Sequence, residues 1–222
     1  MEARLIAIGD IHGCAWEFEQ LLSHLQPGPQ DQVVLLGDLV NRGPDSHRVL
    51  KLARECRAIS LLGNHERRLL NFLRLGNSLD LKTYDRYTID ELTDEDWDYI
   101  SHMRLTHYSF THDTVFVHAG FLPNIPWQKQ TVSIVTEIQV VDNEGQPRKR
   151  SESPNSPHWC ELWKGPPFVV YGHTPRKTTL MKEWSLGLDT ACVNGGFLSA
   201  YVLPEKKIYQ VKAKRAYVPI PL

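Results

Sequence analysis

The stretch Gly37-Asp38-Leu39-Val40-Asn41-Arg42-Gly43-Pro44 follows the apolar run Val33-Val34-Leu35-Leu36. Four consecutive β-branched or leucine residues closed by a glycine read as a short strand buried on both faces. Asp38 then falls in the crevice at that strand's carboxyl end, where open α/β sheets place their ligands. Two other segments repeat the pattern: Leu5-Ile6-Ala7-Ile8 runs into Gly9-Asp10-Ile11-His12-Gly13, and Ala58-Ile59-Ser60-Leu61-Leu62 runs into Gly63-Asn64-His65-Glu66. Each is a buried strand, a glycine that frees the turn, and one or two oxygen or imidazole donors. Three parallel strands of this kind deliver Asp10, His12, Asp38, Asn64 and His65 to one rim.

The segments between them read as helices. Cys14, Phe18, Leu21, Leu22 and Leu25 mark one face of a helix that stops before Pro27. Val49, Leu50 and Ala53 mark a second over 45–54, and a third runs from His65 to about Leu75, with Gly76-Asn77 as its stop. Strand, helix, strand is a βαβ unit with a right-handed crossover. Residues 77–92 are polar without a clear period and are expected to form a loop or a small cap near the site. Thr93 opens a capped helix to Met103.

Leu105–Phe110 and Val115–Val117 read as an antiparallel hairpin that runs into His118-Ala119-Gly120. Residues 121–130 read as a loop or short helix, and Thr131–Val141 as a strand or ordered insertion. Residues 142–158, with Arg148-Lys149-Arg150, have the composition of an exposed, mobile loop. Phe168-Val169-Val170-Tyr171 leads into Gly172-His173. Leu186–Asp189, Phe197–Leu203 and Lys207–Val211 are expected as consecutive antiparallel strands of a second sheet packed on the first.

At 222 residues and 41% hydrophobic content the chain can bury a full core, and it is expected to be a single domain over 1–222 with a flexible insertion at 142–158. A formal net charge of -1 gives no global pull on nucleic acid or membrane, so an anionic substrate must be held by a local site. No run of eighteen apolar residues suggests a membrane span, and a strand beginning by residue 4 leaves no room for a signal peptide. Cys14, Cys56, Cys160 and Cys192 lack CxxC spacing and read as reduced thiols of a cytoplasmic protein, not a disulfide framework or a zinc clamp.

The strand ends thus present two aspartates (Asp10, Asp38), one asparagine (Asn64) and three histidines (His12, His118, His173), together with His65. Mixed carboxylate, amide and imidazole donors suit borderline divalent metals better than magnesium or calcium. Six donors are too many for one catalytic ion with open positions, and two ions sharing one carboxylate fit better.

The series Gly9-Asp10-Ile11-His12-Gly13, Gly37-Asp38-Leu39-Val40-Asn41-Arg42-Gly43, Gly63-Asn64-His65-Glu66, His118-Ala119-Gly120 and Gly172-His173 resembles the phosphoprotein phosphatase branch of the calcineurin-like metallophosphoesterases. Asn41, Pro44-Asp45-Ser46 and the closing Gly187-Leu188-Asp189-Thr190 with Gly195-Gly196 are more similar to the bacterial diadenosine tetraphosphatases than to the serine/threonine phosphatases. The resemblance implies an α/β fold, a four-layer α/β/β/α sandwich, and two divalent ions, manganese first, with iron, cobalt, zinc or nickel as alternatives. It implies Asp10, His12 and Asp38 on the first ion, with Asp38 bridging to a second completed by Asn64, His118 and His173. Metal-activated hydroxide would attack phosphorus in line. Arg42 and Asn64 would grip phosphate oxygens, and protonated His65, oriented by Asn41, would be the general acid.

Two departures bear on the substrate. Asn41 stands where the protein phosphatases carry an aspartate that charges the acid histidine, which favours phosphoanhydride substrates with easier leaving groups. Glu66 points the other way, because the dinucleotide enzymes tend to carry aspartate there. A second phosphate-gripping arginine has no clear match; Arg148 and Arg150 are candidates set against a solvated basic loop. Trp127, Trp159 and Trp163 could stack on a base, with core packing favoured. The expected activity is a dinuclear-metal phosphatase acting on dinucleoside polyphosphates or related nucleotides. The competing readings are a serine/threonine phosphoprotein phosphatase, with a phosphoprotein as partner, and a non-catalytic scaffold on the same fold.

Overall fold

In the first strand, Leu5 and Ala7 face one way and Ile6 and Ile8 the other, and two separate apolar clusters receive them. That alternation, repeated in the other central strands, builds the layers. The computed structural model describes residues 3–76, 78–79 and 81–218. In chain order the strands are β1 (Leu5–Ile8), β2 (Gln32–Leu35), β3 (Ile59–Ser60), β4 (Thr106–Ser109), β5 (Thr114–Val117), β6 (Val140–Val141), β7 (Pro147–Arg148), β8 (Phe168–Tyr171), β9 (Leu180–Lys182), β10 (Ser185–Gly187), β11 (Phe197–Leu203) and β12 (Lys207–Lys212). The helices are α1 (Ala15–Leu25), α2 (Ser46–Glu55), α3 (Asn64–Leu75), α4 (Thr83–Glu91), α5 (Asp94–Ser101), α6 (Val132–Glu137) and α7 (Trp159–Leu162).

One five-stranded sheet runs β12-β11-β1-β2-β3 and a second runs β4-β5-β8-β10-β9, while β6 and β7 form a small hairpin of their own. Ile6, Ile8, Val33 and Leu35 face Phe18, Leu21, Val49, Leu50 and Leu69 of the helices. Leu5, Ala7, Val34 and Leu36 face Phe116, Val170 and Leu186 of the second sheet. Val115, Val117, Val169 and Tyr171 face outward onto Phe121, Val135 and Trp159. Helices, sheet, sheet and an outer layer give the four-layer sandwich expected from the sequence. The fourth layer is thin, since α6 has six residues and α7 four.

Several local expectations need correcting. β11 and β12 join the first sheet, not the second: β11 pairs antiparallel with β1, and only β10 lies in the second sheet, parallel to β8. The reason is burial. Leu198, Ala200 and Val202 feed the helix-side cluster while Tyr201 and Leu203 feed the inter-sheet one, so β11 is apolar on both faces and takes an interior position. Edge strand β12 carries the exposed Lys207 and Lys212, which blunt further pairing. β9, not foreseen, closes the second sheet.

Within the expected loop or small cap, residues 83–91 form the helix α4, and within the expected strand or ordered insertion, 132–137 form the helix α6. Asn77, half of the expected stop of α3, lies outside the described residues, and Gly76 alone closes α3 in the left-handed region at φ 64°. Trp127, Trp159 and Trp163 pack around Phe121 and Tyr171 in the outer layer, so they serve packing. Among the described residues no helix is long and apolar enough to cross a membrane.

Candidate metal centre

β1, β2 and β3 lie side by side and parallel, so the turns leaving them converge at one end of the sheet. β5 and β8, also parallel, bring His118 and His173 to the same end from the second sheet. The turns are held in a costly backbone. His12, Asp38, Asn41, Arg42 and His173 all have positive φ, between 49° and 73°. Non-glycine residues there store strain of order 1 kcal/mol each, which clusters at functional sites. Two glycines are required by proximity. A Cβ on Gly63 would collide with Asp38 Oδ1, and one on Gly172 with Asp10 Oδ1.

Glu66 holds the central turn in place. Fully buried on the first turn of α3, its carboxylate accepts the backbone N–H groups of Asp38, Leu39, Val40 and Gly63 at 2.7–3.1 Å. Each charge-assisted bond of this kind is worth about 1.5–3 kcal/mol. Burial and the neighbouring Asp38 push its carboxyl up to about 7. The sequence offered Glu66 only as a clue to substrate class, whereas in the fold it positions the Asp38 turn.

All six expected ligands gather here. Asp38 sits between two imidazoles, with Oδ2 3.5 Å from His12 Nε2 and Oδ1 3.5 Å from His118 Nε2. Asn64 Oδ1 lies 3.2 Å from His118 Nε2, and the rings of His118 and His173 are 4.9 Å apart. Asp10 accepts the His173 amide with both carboxylate oxygens, at 2.9 and 3.1 Å. Asp189, beyond the expected set, is also buried here, and its charge helps to raise Asp10.

The tautomers of the three histidines follow from their second nitrogens. His12 Nδ1 donates to Val40 O (3.1 Å), His118 Nδ1 to Leu36 O (2.8 Å) and His173 Nε2 to Glu137 O (3.2 Å). A carbonyl can only accept, so each ring keeps its other lone pair for the interior of the site, as metal-binding histidines do. The lone pairs of His12 and His118 therefore face carboxylate and amide oxygens at 3.2–3.5 Å, and a His173 nitrogen lies within 4.8 Å of Asp38 and His118, the arrangement donors take around a cation. Burial drives the same way: it pushes Asp38 up to about 6 and Asp10 well above its usual range, and His118 and His173 down to about 4 and 3. The donor set, with carboxylate, amide and imidazole atoms brought together around Asp38, fits divalent metal ions.

His65 is held differently. Its Nδ1 meets Asn41 Nδ2 at 3.0 Å and Arg68 Nη2 at 3.3 Å. Buried Asp85 fixes both partners: it accepts from Asn41 Nδ2 (2.9 Å), from Arg68 Nε and Nη2 (2.7 and 2.8 Å) and from the Lys82 amide (2.6 Å). With its NH₂ turned to Asp85, Asn41 can only donate to His65. Nδ1 is therefore an acceptor, and the ring proton lies on Nε2, 4.0 Å from Asp38 Oδ2. Burial first, and then the charges around His12, Arg42 and Arg68, hold the ring well below its usual range. This corrects the protonated acid implied by the resemblance: the donors leave a neutral imidazole with one N–H turned to the site. Asp85, Arg68 and Tyr84, whose ring stacks on His65 at 5.4 Å, were not anticipated.

Arg42 Nη1 lies 3.4 Å from His12 Nε2 and opens onto a cavity of about 560 Å³ that also exposes Arg68, Lys149, Arg150 and Tyr84. A neighbouring cavity of about 330 Å³, reached past Arg68 and Lys149, adds Arg67, Asn71, Phe72 and Leu75. Of the two loop arginines, Arg150 lines the larger cavity, whereas Arg148 pairs with Asp142 at 2.8 Å.

A family model described as the calcineurin-like phosphoesterases matches residues 3–201. The chain is 28% identical to an asymmetrical bis(5'-nucleosyl)-tetraphosphatase, PrpE, of Oceanobacillus iheyensis over 95% of its own length and 93% of the relative's. It is 30% identical to a symmetrical bis(5'-nucleosyl)-tetraphosphatase of Nitrosospira multiformis, covering 94% and 95%. The crystal structure of a provisionally assigned diadenosine tetraphosphatase superposes with a TM-score of 0.85 at 31% identity, over 95% of this chain and 94% of that one. On this evidence the chain belongs to the calcineurin-like phosphoesterases, a family of hydrolases.

Proposed function

We propose that this chain is a single-domain enzyme that cleaves phosphoanhydride links of dinucleoside polyphosphates, using two divalent ions, manganese first, in the cytoplasm. The observation that carries the substrate choice is the pair of donors on His65 Nδ1. A neutral imidazole N–H is a weak acid. It can hydrogen-bond to a departing phosphate oxygen, which needs no proton to leave, but it serves a serine alkoxide poorly. The names of the relatives support the same class, and the four free thiols support the compartment.

Asp10, His12 and Asp38 would hold one ion, and Asp38, Asn64, His118 and His173 the other. When bound, the ions supply the positive charge that acidifies water and offsets charge on the reacting phosphoryl group. The chain supplies the rest. Arg42 offers its planar fork to two phosphoryl oxygens, where a lysine would be a point charge. His65 directs its Nε2 proton at the leaving oxygen. Arg68, Lys149 and Arg150 line the path for the remaining phosphates, and the adjoining cavity at Phe72 and Leu75 gives a second nucleoside an apolar surface.

The test is a side-by-side assay with manganese. Diadenosine tetraphosphate should turn over at least about tenfold more efficiently than phosphoserine and phosphothreonine peptides, a difference of about 1.4 kcal/mol in the barrier. Efficient phosphopeptide turnover with the dinucleotide left intact would overturn the reading in favour of a protein phosphatase. A non-catalytic scaffold does not fit a chain that keeps all six donors.

A further inference from the structure

Behind the rim lies a second cluster of ligand-type side chains. Cys14 caps the N-terminus of α1, Glu17 stands three residues on along the same helix face, and Cys192 arrives from the turn between β10 and β11. All three are buried, with exposures of 0%, 0% and 2%. The two sulfurs and a Glu17 carboxylate oxygen lie within 4.8 Å of one another. Glu17 Oε1 is satisfied, accepting the Lys214 amide at 3.0 Å and the Tyr217 hydroxyl at 2.9 Å. Glu17 Oε2 is buried and has no hydrogen-bond partner among the described residues.

A buried carboxylate oxygen without a partner is costly, and side chains of this kind are retained where something compensates them. We propose that Cys14, Glu17 and Cys192 form a structural site for a thiophilic divalent cation of the zinc type, separate from the phosphoryl-transfer centre. A disulfide between the two cysteines would leave Oε2 as it is, whereas a cation engages all three groups. Two thiolates and a carboxylate are ordinary zinc ligands, and the His12 carbonyl oxygen, 3.7 Å from Cys14 Sγ, is at hand as a fourth ligand. Binding releases both thiol protons to solvent. The bound ion would tie α1, the 189–196 turn and the C-terminal segment together, immediately behind the turn that carries His12.

Cobalt separates this site from the catalytic one, whose donors contain no sulfur. Cobalt(II) added to the reduced, desalted full-length protein should produce a near-ultraviolet thiolate charge-transfer band that saturates stoichiometrically and is bleached by zinc. Cys14→Ser and Cys192→Ser should abolish the band, Cys56→Ser should keep it, and Glu17→Gln should weaken cobalt binding at this site at least about tenfold. If either serine variant fails to fold, the native titration and Glu17→Gln decide. A folded native protein without the band would overturn the proposal, as would a band that survives in Cys192→Ser. So would an intact mass two hydrogens lighter, mapped to a Cys14–Cys192 disulfide.

Discussion

The rim and the cap treat the same side chain in opposite ways. On the rim, His12, His118 and His173 each give one N–H to a backbone carbonyl and turn a lone pair inward. Under the cap formed by α3 and α4, His65 is fed by two donors and turns a proton inward. His12 and His65 are only 4.7 Å apart between ring centroids. What divides the proposed ligands from the proposed proton donor is the partner of the far nitrogen: backbone carbonyls of Val40, Leu36 and Glu137 on one side, an amide and a guanidinium anchored to Asp85 on the other.

That contrast can be broken at several points. The largest effect is expected at His65. His65→Gln should lower kcat about 100- to 1,000-fold while manganese content stays at the native level, checked by steady-state kinetics beside metal analysis. Loss of metal in this variant would make His65 part of the rim.

Acid should act on the rim instead. In the metal-free protein burial raises Asp38 to about 6, while His118 and His173, lowered to about 4 and 3, are already neutral above pH 5. A carboxyl with a raised value holds its proton below that value, so metal binding must expel it and affinity falls with falling pH. Manganese affinity measured by titration calorimetry should drop at least about tenfold between pH 7 and pH 5, the Asp38 proton giving about tenfold and the raised Asp10 adding to it. Affinity that rises on acidification would contradict the assignment.

The smallest effect is expected one step further from the chemistry. Asp85→Asn frees Arg68 and the Asn41 amide, so kcat should fall several-fold with metal content and KM nearly unchanged, on the order of 1 kcal/mol in the barrier. An unchanged kcat would show that His65 needs no such anchoring.

The difference between rim and cap also governs what the sequence discloses. Strand, glycine and donor follow one another within a few residues at Asp10, Asp38, Asn64 and His173, and His118 directly follows its strand, so the rim can be read locally. The cap cannot. The buried residues of α4 are Asp85 and Thr88, so its inner face is polar and no apolar period announces a helix. Asp85 matters through Asn41 and Arg68, contacts that span 44 and 17 positions and that no spacing rule encodes. The same holds for sheet membership. Strand character in Phe197–Leu203 was evident, but its pairing with β1 depends on which faces the whole fold buries.

The central claim is that Asp38 links two ions within one rim. Electron paramagnetic resonance of the manganese-loaded protein tests it most directly. The account predicts two ions per chain with an exchange-coupled spectrum, replaced by an uncoupled six-line signal in Asp38→Asn. A native protein that binds one manganese with an uncoupled signal, or whose coupling persists in Asp38→Asn, would contradict it.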